Sequence, residues 1–187
     1  MSSIEAQELK QLPPLAYSLI CEYVGKVDES TPAKKEKFDI KQYVVKKKYQ
    51  PSQHCVWAKL FEHKTTKVKI VGKRFDGNSN TRRKEMQVEV DNLKHLQTCH
   101  FVPKLIHVDQ EKFIIYMSYC GKQPDSLTSD QKRDIQRKLK ILKDGYGMTR
   151  PLYFYVTHVG YPKLSNLAVD QGGHLKLIDL GVPWNRK

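Results

Sequence analysis

An amide and a carboxylate stand at opposite ends of a predicted β-hairpin near the C-terminus. Residues 166–169 and 174–178 have a strand-like composition, and Asp170-Gln-Gly-Gly173 between them predicts a glycine turn. Closure of the hairpin brings Asn166 and Asp179, thirteen residues apart in the sequence, close together. Because hard cations prefer oxygen donors, this pair predicts a site shared by one hard cation. The plain alternative is a hairpin that ends in polar residues.

The residues from Asn166 to Gly181 resemble one part of the protein-kinase family. That part runs from the last residue of the catalytic loop to the D-F-G motif, which is written here as Asp179-Leu-Gly181. In the family both the Asn and the Asp hold Mg²⁺ beside ATP. The resemblance therefore implies that Asn166 and Asp179 are metal ligands, and that ATP and Mg²⁺ are the cofactors.

The same resemblance implies a lysine and a glutamate that together hold the α- and β-phosphates of ATP. Lys73 stands at the end of a predicted strand, and Glu89 lies in a predicted helix with a leucine seven residues further on. Lys69 on the same strand and Glu85 one helical turn earlier remain alternatives. A solvated Glu–Lys surface pair, which contributes little to stability, is the non-functional alternative.

The run that ends at Gly121 resembles the fifth strand and hinge of the family. The resemblance implies that Met117 is the gatekeeper. The residues that would present backbone groups to the adenine edge are Ser118, Tyr119 and Cys120. Taken alone, the run is a strand that stops at a glycine.

Two departures from the family predict impaired phosphoryl transfer. Residues 48–57, where the family has a glycine-rich loop over the phosphates, contain no glycine and one proline, which lacks a backbone donor. In the catalytic loop Lys163 falls on the family's lysine, but Tyr161 falls on the catalytic Asp. A tyrosine with a pKa of ~10 is a poor base at pH 7, which leaves His158, one place from the family's His, as a weak substitute.

The elements that must position these residues are predicted from hydrophobic periodicity. Strand-like runs fall at residues 43–45, 55–61, 68–71, 101–108 and 112–117. Helical periods fall at residues 81–97 and 129–144. The second helix is expected to begin at Thr128 or Ser129 and to end at Gly145. Strands, helix, strands, helix and hairpin in that order predict an α+β fold rather than alternating βαβ units.

The resemblance spans residues 40–181 and implies a protein-kinase-like α+β architecture. Residues 40–117 would form a five-stranded antiparallel N-lobe with helix C, and residues 118–187 a hinge with a minimal, truncated C-lobe. Residues 1–39 are predicted to be an N-terminal arm with a short helix. The chain ends six residues after Gly181, so most of the activation segment and the later helices are expected to be missing.

Composition excludes several classes of protein and points to anionic partners. The 187 residues are 39% hydrophobic and 28% charged, which excludes a disordered tail, a collagen-like rod and a disulfide-dense miniprotein. The net charge of +13 attracts polyanions, so a basic nucleic-acid-binding protein is one hypothesis. The residues that would carry it are Lys46–Lys48, Arg82–Lys84 and Lys132–Arg133, with Tyr49 and Trp57 nearby. A solvated basic surface is the alternative.

Neither zinc nor haem is expected. The residues that can be drawn as zinc ligands are His95 with Cys99 and His100, and His54 with Cys55 and His63, but neither set has the paired spacing of zinc sites. The four cysteines are most simply free thiols in a reducing compartment. No export signal and no membrane span are predicted, so a cytoplasmic or nuclear location is expected.

The leading hypothesis is a truncated protein-kinase-like protein, a pseudokinase. It would bind ATP and Mg²⁺, transfer phosphate poorly, and act by binding and modulating another protein, such as a true kinase. Truncated kinase mimics of this kind occur among viral proteins. The alternatives are an active serine/threonine kinase with a non-standard catalytic loop and the nucleic-acid-binding protein.

Overall fold

The computed structural model describes residues 38–51, 55–148 and 163–181, all within one compact unit, Phe38–Lys187. The elements in chain order are β1 Tyr43–Tyr49, β2 Trp57–His63, β3 Lys69–Arg74, α1 Asn80–His95, β4 Leu105–Asp109, β5 Ile114–Ser118, α2 Ser129–Tyr146, β6 Leu167–Val169 and β7 Leu175–Leu177. The predicted helix before residue 38, together with His158 and Tyr161, lies outside the described residues.

The five strands β1 to β5 form one antiparallel sheet in the order β1-β2-β3-β5-β4, and β6 pairs with β7 in a separate hairpin. The described part of the chain is therefore α+β, as predicted. Alternation along β3 places Ile70 on one face of the sheet, and Val71 and Lys73 on the other. Ile70 packs in a small aromatic cluster with Phe61 and Tyr116, while Val71 packs against the main core.

The main core joins the inner face of the sheet to both helices and to the β6–β7 hairpin. Its most buried members, each at most 1% exposed, include Leu93, Ile115, Ile135, Leu167 and Leu177. Residues on both sides of the predicted boundary at 117 thus share one apolar cluster. Burial of this kind contributes roughly 1.5–3 kcal/mol for each large aliphatic side chain.

Local capping fixes both helices. Ser79 begins α1 by accepting a hydrogen bond from the backbone of Arg82, and Thr128 begins α2 in a capping box with Gln131. The prediction that α2 ends at Gly145 was wrong. The helix continues to Tyr146 and stops at Gly147, whose φ of 67° provides the left-handed turn that closes a helix.

Two strands differ from their predicted ranges for physical reasons. β4 begins only at Leu105, because Phe101 and Val102 are buried in the turn before it rather than in the sheet. β1 extends beyond the predicted residues 43–45, through three lysines, to Tyr49. This strand is at an edge of the described sheet and is exposed on both faces. A strand without a buried face shows no alternation for the sequence to reveal. Neither described helix is long and apolar enough to cross a membrane.

Candidate functional site

The amine of Lys73 is the centre of a three-residue ion-pair network. Its Nζ lies 2.7 Å from Oε2 of Glu89 and 2.8 Å from Oδ1 of Asp179. The side chain of Glu89 is 1% exposed and that of Lys73 is 12% exposed, whereas Asp179 is 36% exposed. The network therefore has a buried side on the helix and an open side at Asp179.

Three different elements supply these groups. The side chain of Lys73, on β3, lies on the inner face of the sheet, and Glu89 lies on the buried face of α1 beside Val90. Asp179 follows the β6–β7 hairpin, 106 residues after Lys73. The structure thus brings together the three residues that the resemblance selected from different parts of the sequence.

The two alternative residues lie elsewhere. Lys69, at the start of β3, is exposed and pairs in register with Glu62 of β2. Glu85 accepts two hydrogen bonds from Arg82, three residues earlier on α1, and both side chains are partly exposed. Lys73 and Glu89 contact each other directly, with Nζ and Oε2 2.7 Å apart, so the geometry favours this pair.

The charge of Lys73 is stabilised by its neighbours. Burial alone would lower the pKa of this amine, but the charges and hydrogen bonds of Glu89 and Asp179 outweigh burial and raise the pKa above its ordinary value. Lys73 therefore stays protonated at neutral pH. The ring of Phe75 lies 5.2 Å from the same amine, which adds a favourable contact between the cation and the aromatic face.

The segment Asp179-Leu-Gly181 is held against helix α1 by backbone as well as side-chain contacts. The carbonyl of Leu180 accepts a 2.7 Å hydrogen bond from Nδ2 of buried Asn92. A Cβ atom added to Gly181 would lie 3.1 Å from Oε2 of Glu89, so the chain passes close to that carboxylate. Sequence reasoning missed Asn92, although a polar residue one turn after Glu89 on an otherwise apolar face was a usable signal.

Asn166 directly precedes β6, the first strand of the hairpin, and Asp179 follows β7, the second strand. Its carbonyl accepts a 2.9 Å hydrogen bond from the backbone of Ile178, the residue before Asp179. The Asn166 side chain is mostly buried, and its Oδ1 accepts a 3.2 Å hydrogen bond from Ser165. Lys163 precedes this turn and accepts a backbone hydrogen bond from Asn166. The hairpin thus brings the backbones of the two predicted metal ligands to one end, as hairpin closure predicts.

The predicted hinge follows β5, and the chain just beyond it pairs with the β6–β7 hairpin through Lys122 and Val169. Met117 is buried in the main core, opposite Val71 in the sheet. The backbone of Tyr119 donates a 3.3 Å hydrogen bond to Lys69, and Cys120 is nearly buried. Gly121 has a φ of 119°, and a Cβ atom there would lie 2.0 Å from the carbonyl oxygen of Val169. A glycine is therefore required at this point of close approach between two backbones.

Ser118 is the last residue of β5 and is bonded to the chain just before β4. Its backbone donates a 2.9 Å hydrogen bond to the carbonyl of Lys104, and its Oγ accepts a 2.8 Å hydrogen bond from the Lys104 backbone. These contacts fix the last residue of β5 and so the direction in which the chain leaves the sheet.

The other candidate residues are placed apart from this network. Within the described ranges, no group of three or more His, Cys, Asp or Glu side chains is arranged to hold a metal ion. His95 contacts the carbonyl oxygen of Tyr146 at 2.8 Å, and His63 contacts Gln42 at 3.0 Å. His54 and part of the predicted phosphate loop lie outside the described residues.

The basic clusters lie on the surface and have local contacts. Lys46 pairs with Glu62 at 3.3 Å, and Lys47 lies 5.1 Å from the centre of the Tyr49 ring. Lys59 lies 4.3 Å from the centre of the Trp57 ring. The two aromatic residues that the sequence places near the basic clusters, Tyr49 and Trp57, therefore each have a lysine amine over the ring.

Comparison with known proteins adds no family to these observations. No protein-family model matches the sequence, and no curated protein is similar to it.

Proposed function

We propose that this chain is a protein-kinase-like protein that binds Mg-ATP at Lys73, Glu89, Asn166 and Asp179, transfers phosphate poorly, and acts by binding another protein. The observation that carries the proposal is the convergence of two carboxylates, from a helix and from a post-hairpin segment, on one protonated lysine of a sheet. In protein kinases a strand lysine pairs with a helix glutamate, and an Asp after the hairpin holds Mg²⁺.

The charges of the network suit a metal–phosphate ligand. Lys73 carries one positive charge, and Glu89 and Asp179 each carry a negative one, so the group has an excess of one negative charge. A bound Mg²⁺ would reverse that excess and favour phosphate oxygens. Glu89 would continue to hold Lys73, while Asp179, the most exposed of the three, would turn its carboxylate from the amine to the metal.

The chemistry of each residue gives it a distinct role. Lys73 would donate hydrogen bonds to the phosphates, and Glu89 would keep its amine oriented. Asp179 and Asn166 would supply oxygen ligands to Mg²⁺. The hinge residues Ser118 to Cys120 would offer backbone groups to the adenine edge, beside Met117 as the gatekeeper.

The proposal of impaired transfer rests on sequence. Tyr161 stands where the catalytic Asp is expected, and residues 48–57 lack the glycines that allow close backbone approach to phosphates. A phenol that keeps its proton at pH 7 cannot readily accept the proton of a substrate hydroxyl.

A site that binds nucleotide without turning it over suits a protein that acts by binding a partner through its surface. The net charge of +13 favours an acidic surface on the partner, which we propose to be another protein such as a kinase.

Thermal unfolding with and without Mg-ATP tests the site. A ligand at a hundred times its dissociation constant stabilises the folded state by about 2.7 kcal/mol, which is a shift of several degrees in Tm. We expect this shift in the wild type, dependent on Mg²⁺, and its loss in Lys73→Ala and in Asp179→Ala. Lys69→Ala on the same strand is the matched control and should keep the shift. An unchanged Tm for the wild type would refute the nucleotide site.

Incubation with labelled ATP and generic acidic and basic substrates tests whether phosphoryl transfer is impaired. Impaired transfer predicts no labelled product at high protein concentration. Product that disappears in Asp179→Ala would instead establish the alternative, an active serine/threonine kinase with a non-standard loop.

A further inference from the structure

Asn92 is a buried polar residue on the apolar face of helix α1. It is 2% exposed, and its neighbours on that face include Val90 and Leu93 of the main core. A buried amide is costly unless it is hydrogen-bonded, and Nδ2 of Asn92 donates to the carbonyl oxygen of Leu180 at 2.7 Å. The bond joins residues 88 positions apart and lies in the interior of the protein.

The accepting carbonyl belongs to a segment that carries Asp179. Three consecutive residues of this segment lie against β3 or α1. Asp179 pairs with Lys73, Leu180 is bonded to Asn92, and Gly181 passes beside Glu89. Leu180 is itself buried in the main core. The segment is therefore tied to α1 on one side and to β3 on the other.

The backbone of Asp179 needs such support. Its φ of 62° is in the left-handed region, which is uncommon for residues other than glycine. A conformation of this kind persists only where the surrounding contacts over-determine it. The salt bridge to Lys73 is one of these contacts, and the Asn92–Leu180 bond fixes the next residue in the chain.

We propose that Asn92 is a positioning residue whose hydrogen bond to Leu180 holds segment 179–181 on helix α1 and thereby sets Asp179 against Lys73. Glu89 and Asn92, one turn apart on the same helix, then act on the two partners of one ion pair. Glu89 holds the amine, and Asn92 holds the backbone that presents the carboxylate. The consequence for Mg-ATP binding rests on the proposed function, whereas the positioning itself does not.

A thermal double-mutant cycle in the full 187-residue chain tests the positioning without any ligand. Asn92→Leu removes the donor with little change in side-chain size, and Asn92→Ser, too short to reach the carbonyl, is a second variant should leucine prevent folding. We expect either change to lower Tm by about 3–8 °C in the wild-type background. In the Asp179→Ala background the same change should lower Tm by less than half as much, because there is no carboxylate left to position.

The cycle has a matched control. Thr128→Ala removes the N-cap of the other helix and should lower Tm by the same amount in both backgrounds. If Asn92 merely satisfies a buried carbonyl, its substitution will also cost the same in both backgrounds, and that result would overturn the proposal.

A titration with Mg-ATP then asks whether positioning matters for the ligand. We expect the Kd of Asn92→Leu to rise at least tenfold, and that of Thr128→Ala to stay within twofold of the wild type. Equal affinity of Asn92→Leu and wild type would show that Asp179 keeps its place without Asn92. A wild type that binds no Mg-ATP would refute the proposed function, and the thermal cycle would decide the role of Asn92.

Discussion

The carboxylate of Glu89 lies 2.7 Å from the amine of Lys73, and both side chains are largely removed from water. Sixteen residues separate them, so the contact joins the end of β3 to the middle of α1 across the turn that connects these elements. A buried charge that loses its partner keeps the cost of its desolvation. This ion pair therefore fixes the position of the helix on the sheet as well as the orientation of the amine.

Substitution of Glu89 by Gln tests this relationship. The change keeps the shape of the side chain but leaves Lys73 with Asp179 alone, so we expect a loss of about 3 kcal/mol in the free energy of unfolding. Urea titration followed by circular dichroism measures it. Glu85→Gln, four residues earlier, is the control: its partner Arg82 is three residues away on the helix surface, and the expected loss is about 0.3–0.5 kcal/mol. Similar losses for the two variants would contradict the ion-pair network described here.

The pH dependence of stability has an identifiable contributor in α2. Burial alone would raise the pKa of Asp134, but hydrogen bonds and charges from Lys138 and Arg137 outweigh burial and hold the pKa below its ordinary value. A carboxyl whose pKa is lower in the folded state stabilises the protein above its unfolded pKa. That contribution is lost as the pH falls through the folded pKa. The stabilisation that Asp134 provides should therefore be lost in acid.

Asp134→Asn makes this prediction measurable. At pH 7 we expect a loss of roughly 1–2 kcal/mol, because Lys138 is nearly buried and loses a charged partner. As the pH falls below about 4, the unfolding free energies of the wild type and the variant should converge. Asp130→Asn affects a pair whose side chains are both at least 80% exposed, and should change stability little at any pH. A constant difference between wild type and Asp134→Asn down to pH 2 would argue against the assignment.

The sequence predicted those elements whose residues repeat with a clear period. Helix α1 and strand β3 each have a buried face, so their buried residues recur at helical or alternate spacing. Strand β5 is buried on both faces and is a continuous apolar run. Edge strand β1 has no buried face, so its run of lysines has no periodic pattern from which the length of the strand could be predicted. The predicted end of α2 was wrong because the sequence does not distinguish Gly145 from Gly147 as the glycine that ends the helix. Only the backbone conformation shows that Gly147 is the left-handed one.

The candidate site was predictable in its ionic residues and not in their support. Lys73, Glu89 and Asp179 were selected by resemblance, since spacing alone did not exclude Lys69 or Glu85. The sequence indicates that Asn92 is unusual for its position but not what it contacts, because its partner is a backbone carbonyl 88 residues away and every residue has such a carbonyl. Contacts between distant side chains and backbone are therefore what the structure contributes.

Two buried thiols should react slowly. Burial raises the pKa of Cys99 and of Cys120 to about 11 in each case, against an ordinary value near 9. The thiolate is the reactive form, so at pH 8 its population falls roughly a hundredfold relative to an exposed cysteine. Alkylation by iodoacetamide, followed residue by residue with mass spectrometry, should be slow in the native protein and fast in guanidinium. Rapid native alkylation at either residue would contradict its burial.

Two glycines should respond to alanine in opposite directions. At Gly121 a Cβ atom would lie 2.0 Å from the carbonyl oxygen of Val169, and the φ of 119° is strained for any L side chain. Neither backbone can move easily, because Lys122 and Val169 exchange two hydrogen bonds at that point. We expect Gly121→Ala to cost at least about 3 kcal/mol in unfolding free energy. At exposed Gly145, inside α2, no atom other than the neighbouring residues and the helix's own backbone lies within 4 Å of the added carbon.

Gly145→Ala should therefore stabilise the protein by about 0.5–1 kcal/mol, because alanine loses less conformational freedom than glycine when it enters a helix. Thermal unfolding of the two variants measures both effects, with an expected rise of about 1–4 °C for Gly145→Ala and a large fall for Gly121→Ala. A fall for Gly145→Ala would mean that α2 ends before this residue, as the sequence predicted. A harmless Gly121→Ala would mean that the chain between β5 and β6 does not pass against Val169, and the proposed hinge would lose its structural basis.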